Sequence, residues 1–448
     1  MFFGKDSYNV IRDNKVLMSE GMIYLQFYSP NEKIKLMRTS LRVNQWELES
    51  ENMSVGFISM MEIGKRNVSR ESSKKLAEKF NLIAKENSIK VELDDEYFYR
   101  QPDEDARIYC EQELRKENNH KQLDELIAIA TRFQLLDLLA KMHHLNALRY
   151  MEEKDNNTAF ICLNNCLGIY KELREDKPQA NIYDLMGSCK LKLSEYDEAI
   201  FYYTQAIAYS IYEDSYDIFF RANLNISNAY SRSKCYKKSI EIIDKNILKR
   251  SSIVAAKYVT NARIIKGISL DKLGKRDEAL EEYFKLIQEI KGENEKLLAL
   301  IYNNVGECYY EKGEYNEALG YLSKASIIKN RIDKETLPNT LNIKAKIFFK
   351  QGLYEESILI IEMAIRMAER CMKLDILYDN YFDLVTILES RNDIEKVIYY
   401  MEEFLNTLKE YDFEKGNKFA LYKLSEAYTK NDQLDKAFET IKQLERLL

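Results

Sequence analysis

A pattern with a period near forty residues constrains this chain more than anything else in it. Short side chains recur at Ala159, Ala199, Ser239, Ala279, Ala318, Ser357 and Ala437, with Val397 in the remaining place, at spacings of 40, 40, 40, 39, 39, 40 and 40. Twelve residues before each stand Ala147, Gly187, Ser227, Gly267, Gly306, Ala345, Val385 and Ser425. An aromatic fills the turn before several second helices, at Tyr196, Tyr236, Tyr315 and Tyr354. Each unit reads as two helices joined by a short turn, with a small residue where they approach. One such hairpin cannot bury its own apolar face, so the units must stack into a continuous core, along a right-handed superhelix with a concave inner wall. Composition agrees: 4 Pro and 14 Gly in 448 residues are about 1% and 3%, against about 5% and 7% in ordinary chains. So few breakers exclude sheet folds rich in turns.

The segments GECYYEKGEYNEALGYLSKA and GSCKLKLSEYDEAIFYYTQA resemble tetratricopeptide repeats, although that family's usual period is shorter. The units at 260–290 and 378–408 fit the pattern poorly, with Lys266, Arg276 and Val397 at packing positions. Residues 105–135 read as a degenerate opening hairpin.

Before the repeats lies a different module. Residues 32–90 carry 12 Lys/Arg against 8 Asp/Glu, in a chain whose net charge is −6. A small basic head thus precedes a long acidic body. Four short helices are expected here. The first carries Ile34, Leu36, Met37 and Leu41; the second starts at Gln45 after Asn44 and buries Trp46 or Leu48. Ser54 caps a third through Met61, and the fourth spans 70–85 with Leu76, Ala77, Phe80 and Ile83 inward. The stretches KIKLMR, NQWEL and SVGFISMMEIGKR resemble the repressor-type (XRE) helix-turn-helix. The resemblance implies a third helix that enters the DNA major groove, with Ser54, Val55, Gly56, Ser59 and Met60 facing bases and Arg42, Gln45, Lys65 and Arg66 contacting phosphates. Val55, Gly56 and Met60 cannot make bidentate hydrogen bonds to guanine or adenine. Such a helix reads thymine methyls or DNA shape, or serves as an adaptor surface.

Domain boundaries follow: 1–31 an N-terminal extension of unknown structure, in which 22–30 is a strand or extended arm; 32–90 the helix-turn-helix domain; 91–104 an acidic linker containing Pro102; and 105–448 the repeats. The fold class is all-α.

Other chemistries find little support. The seven Cys are scattered, with no C-x-x-C pair, and read as buried thiols in a reducing compartment. There are three His, no Gly-rich phosphate loop, no H-E-x-x-H and no nucleophile elbow. His143 and His144 are adjacent on a helix and diverge by about 100°. Neither an enzyme, a metal site nor a cofactor is expected. No apolar run is long enough to span a membrane, and the N-terminus has acidic residues where a signal peptide is apolar, so a cytoplasmic location is expected.

A repressor-type head followed by such repeats resembles the peptide-sensing regulators of Gram-positive bacteria, the PlcR, NprR, Rgg and PrgX group. The resemblance implies a cytoplasmic homodimeric transcription regulator that binds double-stranded DNA and responds to a short signalling peptide, as in quorum sensing. In tetratricopeptide arrays the inner wall comes from first helices. Here that stripe runs Arg221, Leu224, Asn228; Asn261, Ile264, Ile268; Leu300, Asn303, Glu307, Tyr310; and Asn339, Asn342, Lys346, Phe349. Asn suits a peptide groove because its side chain donates and accepts like a backbone amide. Arg221 or Lys346 can hold a carboxylate. The expected peptide contacts are Arg221, Asn228, Asn261, Asn303, Glu307, Tyr310, Asn342 and Lys346. The alternative is an adaptor whose repeats sequester a partner protein, as Rap-type proteins do, and whose helix-turn-helix no longer reads DNA.

Overall fold

The computed structural model describes residues 15–17, 23–89, 91–211, 216–290, 294–409, 411 and 413–447. Most of the 1–31 extension therefore lies outside the described residues. The chain divides into two compact units, Met1–Ile218 and Phe219–Leu448. The division falls inside the repeats, not at 91–104.

The first unit opens with a short antiparallel pair, β1 (Lys15–Leu17) and β2 (Ile23–Leu25). Among the described residues every later named element is helical, with one isolated bridge between Ser50 and Met53. α1 (Pro30–Ser40) starts in a capping box, where the Ser29 N–H donates to Glu32 at 2.9 Å. A single 3-10 turn follows at Gln45–Leu48. α2 (Val55–Glu62) is capped by the Ser54 hydroxyl, and α3 (Arg70–Glu86) by Ser69. Ile34, Met37, Leu48, Ile58, Met61, Leu76 and Phe80 form one core. Leu48 is the inward residue of the second segment, while Trp46 is 65% exposed. One 3-10 turn is too short to turn both residues inward.

The stretch expected as a linker is packed. Phe98 is fully buried in the same core, its N–H donating to Ser73 Oγ at 3.0 Å. Asn81 clasps both the N–H and the C=O of Leu93. Buried Lys33 donates to the carbonyls of Tyr97 and Arg100 and pairs with Asp105. These aromatic and polar contacts run between distant positions, which composition alone does not reveal. Phe27 packs edge-on against Tyr109 and Phe133, on α4 (Pro102–Leu114) and just after α5 (His120–Arg132). Two hairpins complete the unit: α6 (Leu136–Glu152) with α7 (Asn156–Glu172), and α8 (Lys177–Lys192) with α9 (Tyr196–Ile211).

The second unit contains α10 (Tyr216–Arg232) from Phe219 onward, then α11 (Tyr236–Ile242), which runs into a π-helical turn at Ile243–Ile247. Five hairpins follow: α12 (Ala256–Lys272) with α13 (Arg276–Glu289), α14 (Glu295–Lys312) with α15 (Tyr315–Ile332), α16 (Leu337–Lys350) with α17 (Tyr354–Arg370), α18 (Leu374–Ser390) with α19 (Ile394–Leu408), and α20 (Glu414–Lys430) with α21 (Leu434–Glu445).

The small first-helix residues do what their size implies. A Cβ on Gly187 would lie 2.7 Å from the Tyr203 ring, one on Gly267 2.6 Å from Tyr283, and one on Gly306 2.6 Å from Leu322. In these three units the bulky residue four places after the second-helix landmark lies directly on the glycine backbone. The turns are equally regular. Five residues before every landmark the backbone is left-handed, at Lys154, Ser194, Lys234, Gly274, Gly313, Gly352, Asn392 and Asp432. The poorly matching repeats thus share the turn. Their charges are matched by ion pairs: Lys266 with Asp244 at 2.8 Å, and Arg276 with Asp271 and Glu311 at 3.5 Å.

Candidate functional site

In the N-terminal module, the buried carboxylate of Glu62 gathers three segments. It accepts from Arg38 Nε of α1 at 2.6 Å and from Gln45 Nε2 of the 3-10 turn at 2.8 Å, while Arg38 also donates to the Val43 carbonyl. This fixes α2 against its neighbours. Around it, Arg42, Ser54, Gly56, Met60, Lys65 and Arg66 are exposed, and Gln45, Val55 and Ser59 are half-buried. All nine residues expected at DNA are therefore open to solvent to some degree. Gln45 already spends one amide hydrogen on Glu62. The Arg66 guanidinium rests 4.1 Å from the Phe57 ring centroid. Trp46, Met60 and Ile63 add exposed apolar surface.

In the second unit, the residues three places before the first-helix landmarks share one register: Leu224, Ile264, Asn303, Asn342, Phe382 and Tyr422. The first four are buried or nearly so; Phe382 and Tyr422 are 46% and 55% exposed. Asn342 Nδ2 of α16 donates to Asp383 Oδ2 of α18 at 2.9 Å and to Asn380 Oδ1 at 3.2 Å. Lys346 Nζ meets the same Asp383 oxygen at 2.9 Å. Tyr310 of α14 packs beside Tyr315, and burial, then the Glu311 charge, raises its hydroxyl pKa. Two expected peptide contacts, Asn342 and Lys346, are thus drawn together around Asp383.

Asn303 lies one repeat earlier. Its Oδ1 accepts from Thr340 Oγ1 at 2.6 Å and from Lys329 Nζ at 3.4 Å. Glu307 pairs with Lys272 of α12 at 2.9 Å. Arg221 and Asn228 are half-buried on α10, and Asn261 is exposed on α12. Among the described residues, no hydrogen bond joins Asn228 or Asn261 to Asn303 or Asn342.

Sequence reasoning missed Lys329, Thr340, Asn380 and Asp383. Lys329 is only 3% exposed, and burial pushes its amine down to about 8. Asp379, beside this cluster on α18, is raised by burial. Thr340 and Asn380 share one register forty residues apart, but neither residue type repeats there along the chain, so no sequence signal marked them.

Two clefts open elsewhere in the unit. One of about 880 Å³ is lined by Leu408, Tyr411, Leu421, Tyr428 and Thr440 among others, and one of about 390 Å³ by Leu374, Leu377 and Tyr411 among others. Neither includes an expected peptide contact. Among the described residues no group of His, Cys, Asp and Glu is arranged to hold a metal, and no helix is long and apolar enough to cross a membrane. Cys110, Cys162, Cys166, Cys189 and Cys308 are buried as expected; Cys371 is half-buried and Cys235 exposed, the latter at a hairpin turn.

Models of the tetratricopeptide repeat match residues 180–210 and 297–370. The chain is 26% identical to response regulator aspartate phosphatase E of Bacillus subtilis (strain 168) over 268 residues, 57% of this chain and 68% of that protein. Its fold is similar to the apo form of the quorum sensor NprR from B. thuringiensis, with a TM-score of 0.51 at 17% identity, covering 77% of this chain and 99% of that one. The helical repeat architecture expected from the sequence is the architecture of the molecule.

Proposed function

We propose that this chain is a cytoplasmic, homodimeric transcription regulator. Its N-terminal module binds double-stranded DNA, and its repeats bind a short signalling peptide on the first-helix wall. The observation that carries this reading is the open face of α2: Ser54, Gly56 and Met60 are exposed, Lys65 and Arg66 flank them, and Glu62 locks the helix from behind. Such a helix meets a groove, and the basic residues meet phosphates. The cluster of Asn342 and Lys346 around Asp383 supports peptide binding, since polar groups on a helical wall can satisfy a desolvated backbone. Likeness to a quorum sensor's fold and to a response-regulator phosphatase accords with signalling through the repeats.

Anisotropy with duplex fragments from the chain's own genomic neighbourhood, with and without synthetic peptides, tests this reading. Binding is expected to weaken with salt and to fall in Lys65→Ala/Arg66→Ala. No binding to any fragment under either condition refutes it.

A second reading has its own observation. Exposed Trp46, Met60 and Ile63 suit a protein contact better than a phosphate backbone. The module then acts as an adaptor and the repeats hold a partner protein. A stoichiometric protein complex, insensitive to DNA, selects it.

A further inference from the structure

Asparagine ordinarily serves a ligand as donor or acceptor, because its amide can turn over. On this wall two asparagines are denied that choice. Asn303 Oδ1 is held by Thr340 Oγ1 at 2.6 Å and Lys329 Nζ at 3.4 Å. Lys329 in turn donates to Thr340 Oγ1 at 2.9 Å and to the Thr336 carbonyl at 3.4 Å. The ammonium only donates, so the oxygen of Asn303 must face it. Both lone pairs are filled, which leaves Nδ2 to offer.

Asn342 is held the other way. Both hydrogens of its Nδ2 are taken, by Asp383 Oδ2 and by Asn380 Oδ1. The carboxylate only accepts, and Asn380 is itself oriented because its Nδ2 donates to the Ile376 carbonyl at 2.7 Å. Lys346 pairs with that same Asp383 oxygen at 2.9 Å. What Asn342 has left is Oδ1. Lys329, Thr340 and Asn380 are each at least nine-tenths buried, which shields their bonds from water, and the Asp383 side chain is 17% exposed.

We propose that Lys329 with Thr340, and Asp383 with Asn380, are positioning residues that lock Asn303 as a donor and Asn342 as an acceptor, so that a bound peptide must present a backbone carbonyl at the first and a backbone N–H at the second. The proposal rests on the peptide-binding reading above and gives it a chemical selectivity. The two asparagines are one repeat apart. Proline, which has no N–H, is excluded opposite Asn342 and tolerated opposite Asn303.

The test uses the full chain. A randomised linear heptapeptide library is selected on the immobilised protein. The best binder is resynthesised with each backbone amide N-methylated in turn, and binding is read by anisotropy against wild type, Asn303→Asp and Asn342→Ala. One N-methyl position is expected to lose tenfold or more on wild type and to lose nothing further on Asn342→Ala. Asn303→Asp places a carboxylate against Lys329, so its melting temperature should not fall, yet it lacks the donor and should bind at least tenfold more weakly. Selective 15N-asparagine labelling of the unliganded protein reads the lock without any peptide. Asn342 side-chain hydrogens should exchange slowly with water and those of Asn303 fast, each pair identified by its loss in the matching variant. Wild-type affinity within twofold in Asn303→Asp, no N-methyl position coupled to Asn342, or equal exchange of the two amides overturns the lock and leaves peptide binding standing. A wild type that retains no library peptide overturns peptide binding itself, and the selectivity with it.

Discussion

A left-handed residue turns the chain in each of the eight hairpins, yet only three of these residues, Gly274, Gly313 and Gly352, are glycines. For a residue with a Cβ that conformation costs about 1–2 kcal/mol. Nothing lies within 4 Å of where a Cβ would stand on Gly313, so Gly313→Ala isolates the backbone cost: stability should fall by about 1 kcal/mol in urea melts. The reverse exchange at Lys234, where φ is 64°, should gain several tenths of a kcal/mol. Gly267 tests a different cost. Its φ is ordinary, but a Cβ meets the buried Tyr283 ring at 2.6 Å, so Gly267→Ala should lose about 1–3 kcal/mol through overpacking. A loss as small as a few tenths would mean the ring can step aside.

At the scale of the element, helices are joined by a few buried polar groups that packing alone does not require. Lys329 links α15 to α14 and α16 at a cost, since burial lowers its amine to about 8 from an ordinary 10.5. Between those values the unfolded chain holds the proton more tightly than the folded one, so stability should rise with pH across that window. Lys329→Met should remove that rise and stabilise the repeats at pH 7 by about 1–3 kcal/mol. Thermal melts from pH 7 to 10.5 on both proteins measure it, and parallel profiles would show that Lys329 is not the group responsible. Period and small residues made each helix pair legible. The π-helical turn after Ile242 was not legible, because it follows from how α11 meets its neighbours: Asn246 donates to Asn223 of α10 at 2.6 Å.

For the whole molecule, the decisive measurement is association with DNA as a function of salt. Each phosphate contact contributes about 0.9 to the slope of log K against log salt, so Lys65→Ala/Arg66→Ala should flatten that slope by about 2. An unchanged slope would place these residues off the duplex. The stretch 91–104 matters at this scale because it is bolted to the module through Phe98 and Lys33. A loose tether there would allow the head to move freely, whereas a strap ties α1 and α3 to the start of α4.

The sequence by itself determined the helices, their pairing and the forty-residue beat, because these depend on neighbours within one hairpin: a small residue here, a ring sixteen places on, a turn between. It also nominated Asn303 and Asn342, since register along a helix can be counted. Only the tertiary structure decided which half of each amide is left to a ligand. That choice is made by Lys329, 26 residues beyond Asn303, and by Asp383, 41 residues beyond Asn342. Such contacts arise where separate helices meet, and no periodicity in the chain records them.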